Sequence, residues 1–334
     1  MPDTTEHRLK SKVSSLYYQH DHKQREIAKR LHLSRPKVSR LLRRAREEGI
    51  VQISVVASDD GLVELETALE EQHGLDEALV VDASAEVAGQ HQQPPGGGAA
   101  RASSGADATF LKRRIGEGAA RYLRRSTEEG EVLGITWGTT LQAMVQAMHR
   151  TEVERIRVAQ ALGGVGPPEA EAHAADLSRQ LARLLNARLT PLPVPGIVES
   201  AEARETLLAD HHVQRAFDFF PQITTAYVGI GALSTNPIFS NNLAVREDTR
   251  ETLRDAGVVG DIALRFFDAD GQGVSSPFED RLLGITLDQL GEVERVVGVA
   301  GGPQKTDAIR GALRGRLVDV LITDRGTAEW LVAA

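Results

Sequence analysis

The sequence contains no cysteine. This excludes disulfide bridges, thiol nucleophiles and thiolate metal sites, and it is typical of a protein in a reducing cytoplasm. No apolar run approaches the roughly 20 residues that a membrane helix needs. The first residues, MPDTTEHRLK, have no apolar signal-peptide core. We therefore expect a cytoplasmic protein without a membrane partner.

Nucleotide fingerprints are also missing, since the sequence has neither GxGxxG nor GxxxxGK followed by Ser or Thr. Two motifs resemble parts of metal sites. Asp268–Gly271 resembles part of a calcium loop, but an Asp-Gly turn between strands explains it better. His211 and His212 have no matching third ligand. We expect neither a metal nor a cofactor.

The charge of the chain is unevenly distributed. The 334 residues have a net charge of −8. Residues 1–57 hold 13 Lys and Arg against 6 Asp and Glu, a balance of +7, so the remainder carries −15. The length exceeds one typical domain, and a basic segment on an acidic body suggests that this segment alone meets a polyanion. We predict a DNA-binding domain over 1–57 and a larger domain over 58–334.

The basic segment has the pattern of a helix-turn-helix. Apolar residues at helical spacing predict a short first helix, a second over residues 24–31 and a third over residues 35–48. Ser34 is a good N-cap for the third helix, and Gly49 ends it. His32 stands in the turn, where Gly or Asn is usual. Residues 50–55 alternate like a strand or wing.

The outer face of the third helix predicts contacts with double-stranded operator DNA. Lys37 and Arg40 are early and outward, where Lys or Arg can pair with the acceptors of guanine. The other candidates are the phosphate contacts Gln24, Ser34, Arg43 and Arg44, and the outward-facing Arg35 and Ser39.

The remainder of the chain alternates between short apolar runs and helical stretches. The predicted strands are 78–81, 132–135, 156–162, 225–230, 296–300 and 318–323. This order predicts a doubly wound α/β domain with a mainly parallel sheet. Residues 89–108, rich in Gly, Pro, Gln, Ser and Ala, predict a disordered loop.

Two small-residue turns at predicted strand ends are candidate anion sites. Thr136, Gly138, Thr139 and Thr140 follow one strand and open a helix, whose start offers free N–H groups to an anion. Lys305 follows Gly301-Gly302 after another strand and lies in the first turn of the next helix. A cation there suits a bound phosphate. Gln160 and Asp261 also stand at strand ends.

The chain as a whole resembles the SorC family of sugar-binding transcriptional regulators. The stretches that carry this resemblance are LYYQHDHKQREIAKRLHLSRPKVSRLLRRAREEGIV, GITWGTTLQAM, YVGIGALS, GVVGDIALRFFDADG and RVVGVAGGPQKTDAIRGALRGRLVDVLITD. The resemblance implies an effector domain related to sugar-phosphate isomerases but without their catalysis. It also implies a phosphorylated sugar or polyol as effector, a homo-oligomer (dimer or tetramer) and control of a carbohydrate operon.

The resemblance places the phosphate loop on Thr136 to Thr140, the cation on Lys305 and the acidic pocket residue on Asp261. The sequence departs from the family near Leu162 and over residues 277–280, where sugar hydroxyls would be recognised. The identity of the sugar therefore stays open.

Two alternatives remain beside a regulator controlled by a phosphosugar. One is a sensor of an unphosphorylated sugar, which the phosphate loop speaks against. The other is a sugar-phosphate isomerase or deaminase with a DNA-binding appendage. An enzyme needs a general acid and a general base, and only Asp261, Glu279 and Asp280 are available near the pocket. We therefore expect no catalytic residues.

Overall fold

A computed structural model describes residues 4–51, 61–83, 103–150, 153–164, 168–236, 239 and 248–334. The chain divides into two compact units, Met1–Ser58 and Asp59–Ala334. Every helix in the described ranges is too short or too polar to cross a lipid bilayer.

The first unit is built from short helices. They are α1 (Thr4–Ser14), a π-helical turn (Ser15–Gln19), α2 (Gln24–Arg30) and α3 (Arg35–Glu47). Its core consists of Val13, Leu16, Ile27, Ala28, Val38, Leu41 and Leu42. These apolar residues recur three or four positions apart, so each helix turns one stripe inward.

The turns of this unit follow the sequence prediction. The Ser34 hydroxyl accepts the N–H of Lys37 at 3.4 Å and so caps α3. His32 has a φ of 54° and Gly49 a φ of 70°, both left-handed. The predicted wing over 50–55 lies outside the described residues from position 52 onward.

The second unit contains a parallel sheet with helices on both faces. In spatial order its strands are β1 (Glu77–Val81), β10 (Val320–Asp324), β9 (Arg295–Val299), β5 (Thr225–Ala232), β2 (Val132–Ile135), β3 (Arg157–Gln160) and β4 (Arg188–Thr190). β5 lies in the middle, with β2 and β9 as parallel neighbours.

Three antiparallel strands extend β5 beyond the parallel sheet. They are β6 (Val258–Ile262), β7 (Arg265–Asp268) and β8 (Gly273–Val274). The sequence prediction missed these strands and β4 as elements. β4 and β8 have only two or three residues, and Gly and charged residues interrupt the apolar pattern of β6 and β7. The predicted Asp-Gly turn joins β7 to β8. The Asp268 carboxylate accepts the N–H groups of Asp270 and Gln272 within this turn, both at 2.9 Å.

The helices of the second unit cover two separate cores, one on each face of the sheet. They are α4 (Leu62–His73), α5 (Ser103–Ser126), α6 (Thr139–Ala147), α7 (Pro168–Leu184), α8 (Ala201–Leu208), α9 (His211–Phe217), α10 (Asp248–Asp255), α11 (Leu287–Gly291), α12 (Thr306–Arg314) and α13 (Arg325–Ala333). The prediction of a doubly wound, mainly parallel α/β domain is confirmed.

The predicted disordered loop over 89–108 needs one correction. Residues 103–108 belong to α5, which begins at Ser103. Ala106 and Ala108 are strong helix formers, so the helix begins before the apolar periodicity that marks its later turns. Residues 89–102 lie outside the described residues.

Candidate functional sites

α3 separates an apolar inner face from a basic outer face. Val38, Leu41, Leu42 and Ala45 are buried. The exposed candidate contacts are Ser34, Arg35, Lys37, Ser39, Arg40, Arg43 and Arg44, and Gln24 at the start of α2 is half-buried. The exposed residues can therefore reach a polyanion without disturbing the core.

The cations of α3 differ in their partners. Arg43 lies 3.8 Å from Glu47, and Arg44 lies 3.1 Å from Glu6. Both pairs are exposed and stabilise the fold little. The side chains of Lys37 and Arg40 have no hydrogen bond or ion pair to any described residue. The two cations predicted to read bases thus have no side-chain partner among the described residues, and their roles stay predictions.

The candidate effector site lies at the carboxyl end of β5. Because β2 and β9 flank β5 in parallel, the turns after β2 and β9 open at the same edge of the sheet. The N–H of Gly229 on β5 donates to the Thr136 hydroxyl at 3.4 Å. The Lys305 ammonium donates to the carbonyl of Ile230, also on β5, at 2.7 Å. One strand therefore brings the two predicted anion turns together.

The first turn has the form of an open cradle. Gly138 precedes α6 in extended backbone, and a Cβ on it would meet no atom within 4 Å. Thr139 is exposed, whereas Thr136 and Thr140 are buried. The first N–H groups of α6 have no acceptor within the helix. An anion placed over Gly138 would meet these groups and the positive end of the helix dipole.

The second turn is held rigidly from behind. The N–H of Gly302 donates to the Asp324 carboxylate and to the Thr327 hydroxyl, both at 2.8 Å. Gly302 has a φ of 99°, which favours glycine. These bonds fix the backbone that carries Lys305, the residue directly before α12.

Asp261 is buried on β6 beside Gly231 of β5. Its carboxylate accepts the Asn236 amide at 2.8 Å and the N–H of Leu264 at 3.2 Å. Burial raises the pKa of Asp261, while Asn236, Leu264 and the charge of Lys305 oppose that rise. Asp261 lies close enough to Lys305 for the two charges to interact.

The pKa of Lys305 depends on burial and on two neighbouring charges. Burial lowers its pKa, the carboxylate of Asp261 raises it, and the ammonium of Lys112 on α5 lowers it. The ammonium uses one of its three N–H donors on Ile230. Two donors remain for an anion.

Gln160 lies at the end of β3 with its amide engaged by the backbone. Its Nε2 donates to the Leu162 carbonyl at 3.0 Å, and its Oε1 accepts the N–H of Leu192 at 3.3 Å. These bonds give Gln160 a positioning role in the structure. Its predicted contact with the effector stays a prediction.

Sequence reasoning missed three residues of this region, namely Lys112, Asn236 and Asp324. Asn236 follows β5 by four residues, and Asp324 ends β10, so the strand-end rule that found Asp261 could have found both. Lys112 lies within a helix, and no strand-end signal marks it.

Comparison with known proteins finds a family model for each of the two units. A family model for a sugar-binding domain matches residues 59–333. A model for a winged helix-turn-helix DNA-binding domain matches residues 21–52.

Full-length relatives and a solved structure resemble the whole chain. The deoxyribonucleoside regulator of Bacillus subtilis is 32% identical over 330 residues, covering 99% of both chains. The sorbitol operon regulator of Klebsiella pneumoniae is 28% identical over 334 residues, covering 99% of this chain and 100% of the relative. The crystal structure of the full-length Klebsiella regulator matches with a TM-score of 0.69 at 27% identity, covering 98% of this chain and 100% of the other.

Proposed function

The chain belongs to the SorC family of sugar-binding transcriptional regulators, and we propose that a phosphorylated sugar or polyol is the effector that controls its binding to operator DNA. In this proposal the first unit binds the operator of a carbohydrate-metabolism operon. The second unit binds the effector at the carboxyl end of β5.

One observation carries the phosphate part of the proposal. The open cradle at Gly138 and the ammonium of Lys305 are both tied to β5, through Thr136 and Ile230 respectively. A phosphate between the two turns would receive N–H donors from the start of α6 and a charged donor from Lys305. With a neutral ligand, Asp261 would remain the anionic group that acts on Lys305, and the N–H groups at the start of α6 would face no negative charge.

An unphosphorylated sugar is the second candidate. The buried carboxylate of Asp261 favours it, because each of its oxygens accepts one hydrogen bond from the described residues and keeps a lone pair that can bind a sugar hydroxyl. Both candidates place the sugar at the same strand end. They differ in whether the phosphate contributes to affinity.

We propose no catalytic role for this site. Both oxygens of Asp261 already accept hydrogen bonds. Glu279, the other candidate acid or base, pairs with the buried Arg265 and accepts the Ser276 hydroxyl. These contacts give the two carboxylates structural tasks.

A thermal-shift panel tests the effector class directly. Each five- or six-carbon sugar phosphate is paired with its parent sugar and with inorganic phosphate. A ligand that binds only the native state stabilises it by about 2.7 kcal/mol at a hundredfold excess over its Kd. We expect sugar phosphates to raise the Tm and the parent sugars to have little effect. A response to a parent sugar that equals the response to its phosphate would favour the second candidate.

We also propose that the regulator works as a homo-oligomer, either a dimer or a tetramer. The support is its membership of the family, together with the physical need for two arrangements that the effector can distinguish. Size-exclusion chromatography with light scattering tests this, and a monomeric mass at operator-binding concentrations would contradict it.

A further inference from the structure

α5 and α6 run side by side in the same direction. A Cβ on Gly116 of α5 would lie 2.6 Å from the backbone of Ala143 of α6, so the two helices touch at this point. About one turn later, Ala120 and Ala147 line the same groove. The contacts thus advance together along both helices. One turn before Gly116 and Ala143, this register places Lys112 alongside Thr139.

The adjoining face of α5 covers the second anion turn. Side-chain atoms of Ile115 and Leu111 would lie 2.7 Å and 3.2 Å from a Cβ on Gly301 and on Gly302, respectively. These two glycines stand immediately before the segment that carries Lys305. Lys112 follows Leu111 directly. On α5 it therefore lies next to both the turn at Gly138–Thr139 and the turn at Gly301–Gly302.

Lys112 is half-buried, and its side chain has no hydrogen bond or ion pair to any residue that the structure describes. The positive charge of Lys112 interacts with Lys305 and lowers the pKa of Lys305. The two cations repel each other, and the carboxylate of Asp261, which attracts Lys305, leaves the charge of Lys112 without an ion-pair partner among the described residues. A dianionic group between them would remove this repulsion and gain from both charges.

We propose that Lys112 is a third arm of the effector site and binds the phosphate of the effector together with Lys305 and the Gly138–Thr139 cradle. This inference rests on the proposed function, because it assigns a residue to the same phosphate. It makes α5 part of the binding site. It also makes the site selective for doubly charged ligands over neutral sugars.

The test compares the full chain with Lys112→Gln, Lys112→Arg and the matched control Arg121→Gln, which removes a charge from the same helix over two turns away. Isothermal titration with inorganic phosphate and with the sugar phosphates of the panel gives the Kd values. We expect Lys112→Gln to weaken phosphate-containing ligands by about 10- to 100-fold. Lys112→Arg should retain most of the affinity, and Arg121→Gln should match the unsubstituted protein.

The outcomes separate this inference from the proposed function. If the unsubstituted protein binds the phosphate-containing ligands and Lys112→Gln binds them equally well, the role of Lys112 is overturned and the phosphosugar proposal stands. If the unsubstituted protein binds none of them, both fail. An equal loss for parent sugars, or a lower Tm of the unliganded variant, would indicate a structural role and overturn the inference. We expect neither, because Lys112→Gln relieves repulsion with Lys305.

Discussion

The ammonium of Lys305 and the carbonyl of Ile230 are joined by a hydrogen bond of 2.7 Å. This bond links the turn after β9 to the end of β5, the strand that also holds Thr136 through the N–H of Gly229. An anion bound by the remaining donors of Lys305 would therefore act on two turns that share one strand. An effector changes DNA affinity only if it binds one arrangement of the protein better than another.

Phosphate affinity should depend on pH through Lys305. Burial and Lys112 lower its pKa from the ordinary 10.5, while Asp261 opposes the change. Only the charged form binds an anion strongly, so we expect affinity to fall as pH rises through this lowered pKa, and the midpoint to lie below 10.5. Titrations with inorganic phosphate over alkaline pH measure the midpoint. In Lys112→Gln the midpoint should move to higher pH, and a midpoint that stays in place would contradict the coupling.

A methyl group at Gly138 should block the cradle without harming the fold. The position has extended backbone and no atom within 4 Å of a Cβ. We expect the free energy of unfolding of the unliganded Gly138→Ala protein to stay within about 0.5 kcal/mol of that of the unsubstituted protein. Its affinity for sugar phosphates should fall, because the methyl group occupies the approach to the helix start. Unchanged affinity by isothermal titration would show that the anion does not pass over Gly138.

Gly301 should tolerate no side chain. A Cβ there would lie 2.3 Å from the Asp324 carboxylate, which holds the N–H of Gly302. We expect Gly301→Ala to lower the free energy of unfolding by about 1–3 kcal/mol. Gly291→Ala is the matched control, since a Cβ at that position meets nothing within 4 Å. Chemical denaturation measures both variants, and equal stabilities would show that the second turn is not rigidly held.

Arg40 and Arg44 should affect DNA binding differently. Arg40 is exposed and has no side-chain partner in the described part of the chain, whereas Arg44 is paired with Glu6. We expect Arg40→Ala to lose about 1–3 kcal/mol of discrimination at one operator position. Arg44→Ala should weaken operator and scrambled duplexes alike. Competition binding with both duplexes tests this, and identical behaviour of the variants would remove the distinction between base and phosphate contacts.

The sequence predicts the parts of the fold that have strong periodicity. The inward stripe of α3, the cap at Ser34 and the left-handed His32 follow from local rules, and the structure has them. The order of the strands in the sheet cannot be predicted in this way, because the pairing of β5 with β9 joins residues that are distant in the sequence. Local patterns carry no information about such pairing.

The residues of the effector site also divide into those that local sequence predicts and those that it does not. Small residues after strands locate the turns at Gly138 and Gly302, because their chemistry is local. Lys112 reaches the site only through the close approach of α5 to α6 at Gly116. Nothing around Lys112 in the sequence predicts that approach, so the second cation of the site becomes visible only in three dimensions.

We propose that a phosphate held by Lys305 and the Gly138–Thr139 cradle controls DNA binding. The most direct measurement is operator affinity, by fluorescence anisotropy, with and without the sugar phosphate that stabilises the protein most. We predict that Lys305→Gln and Thr139→Val bind the operator normally without effector and lose the response to it. If Lys305→Gln responds to the same sugar phosphate at unchanged concentration, the effector site lies elsewhere and the account is wrong.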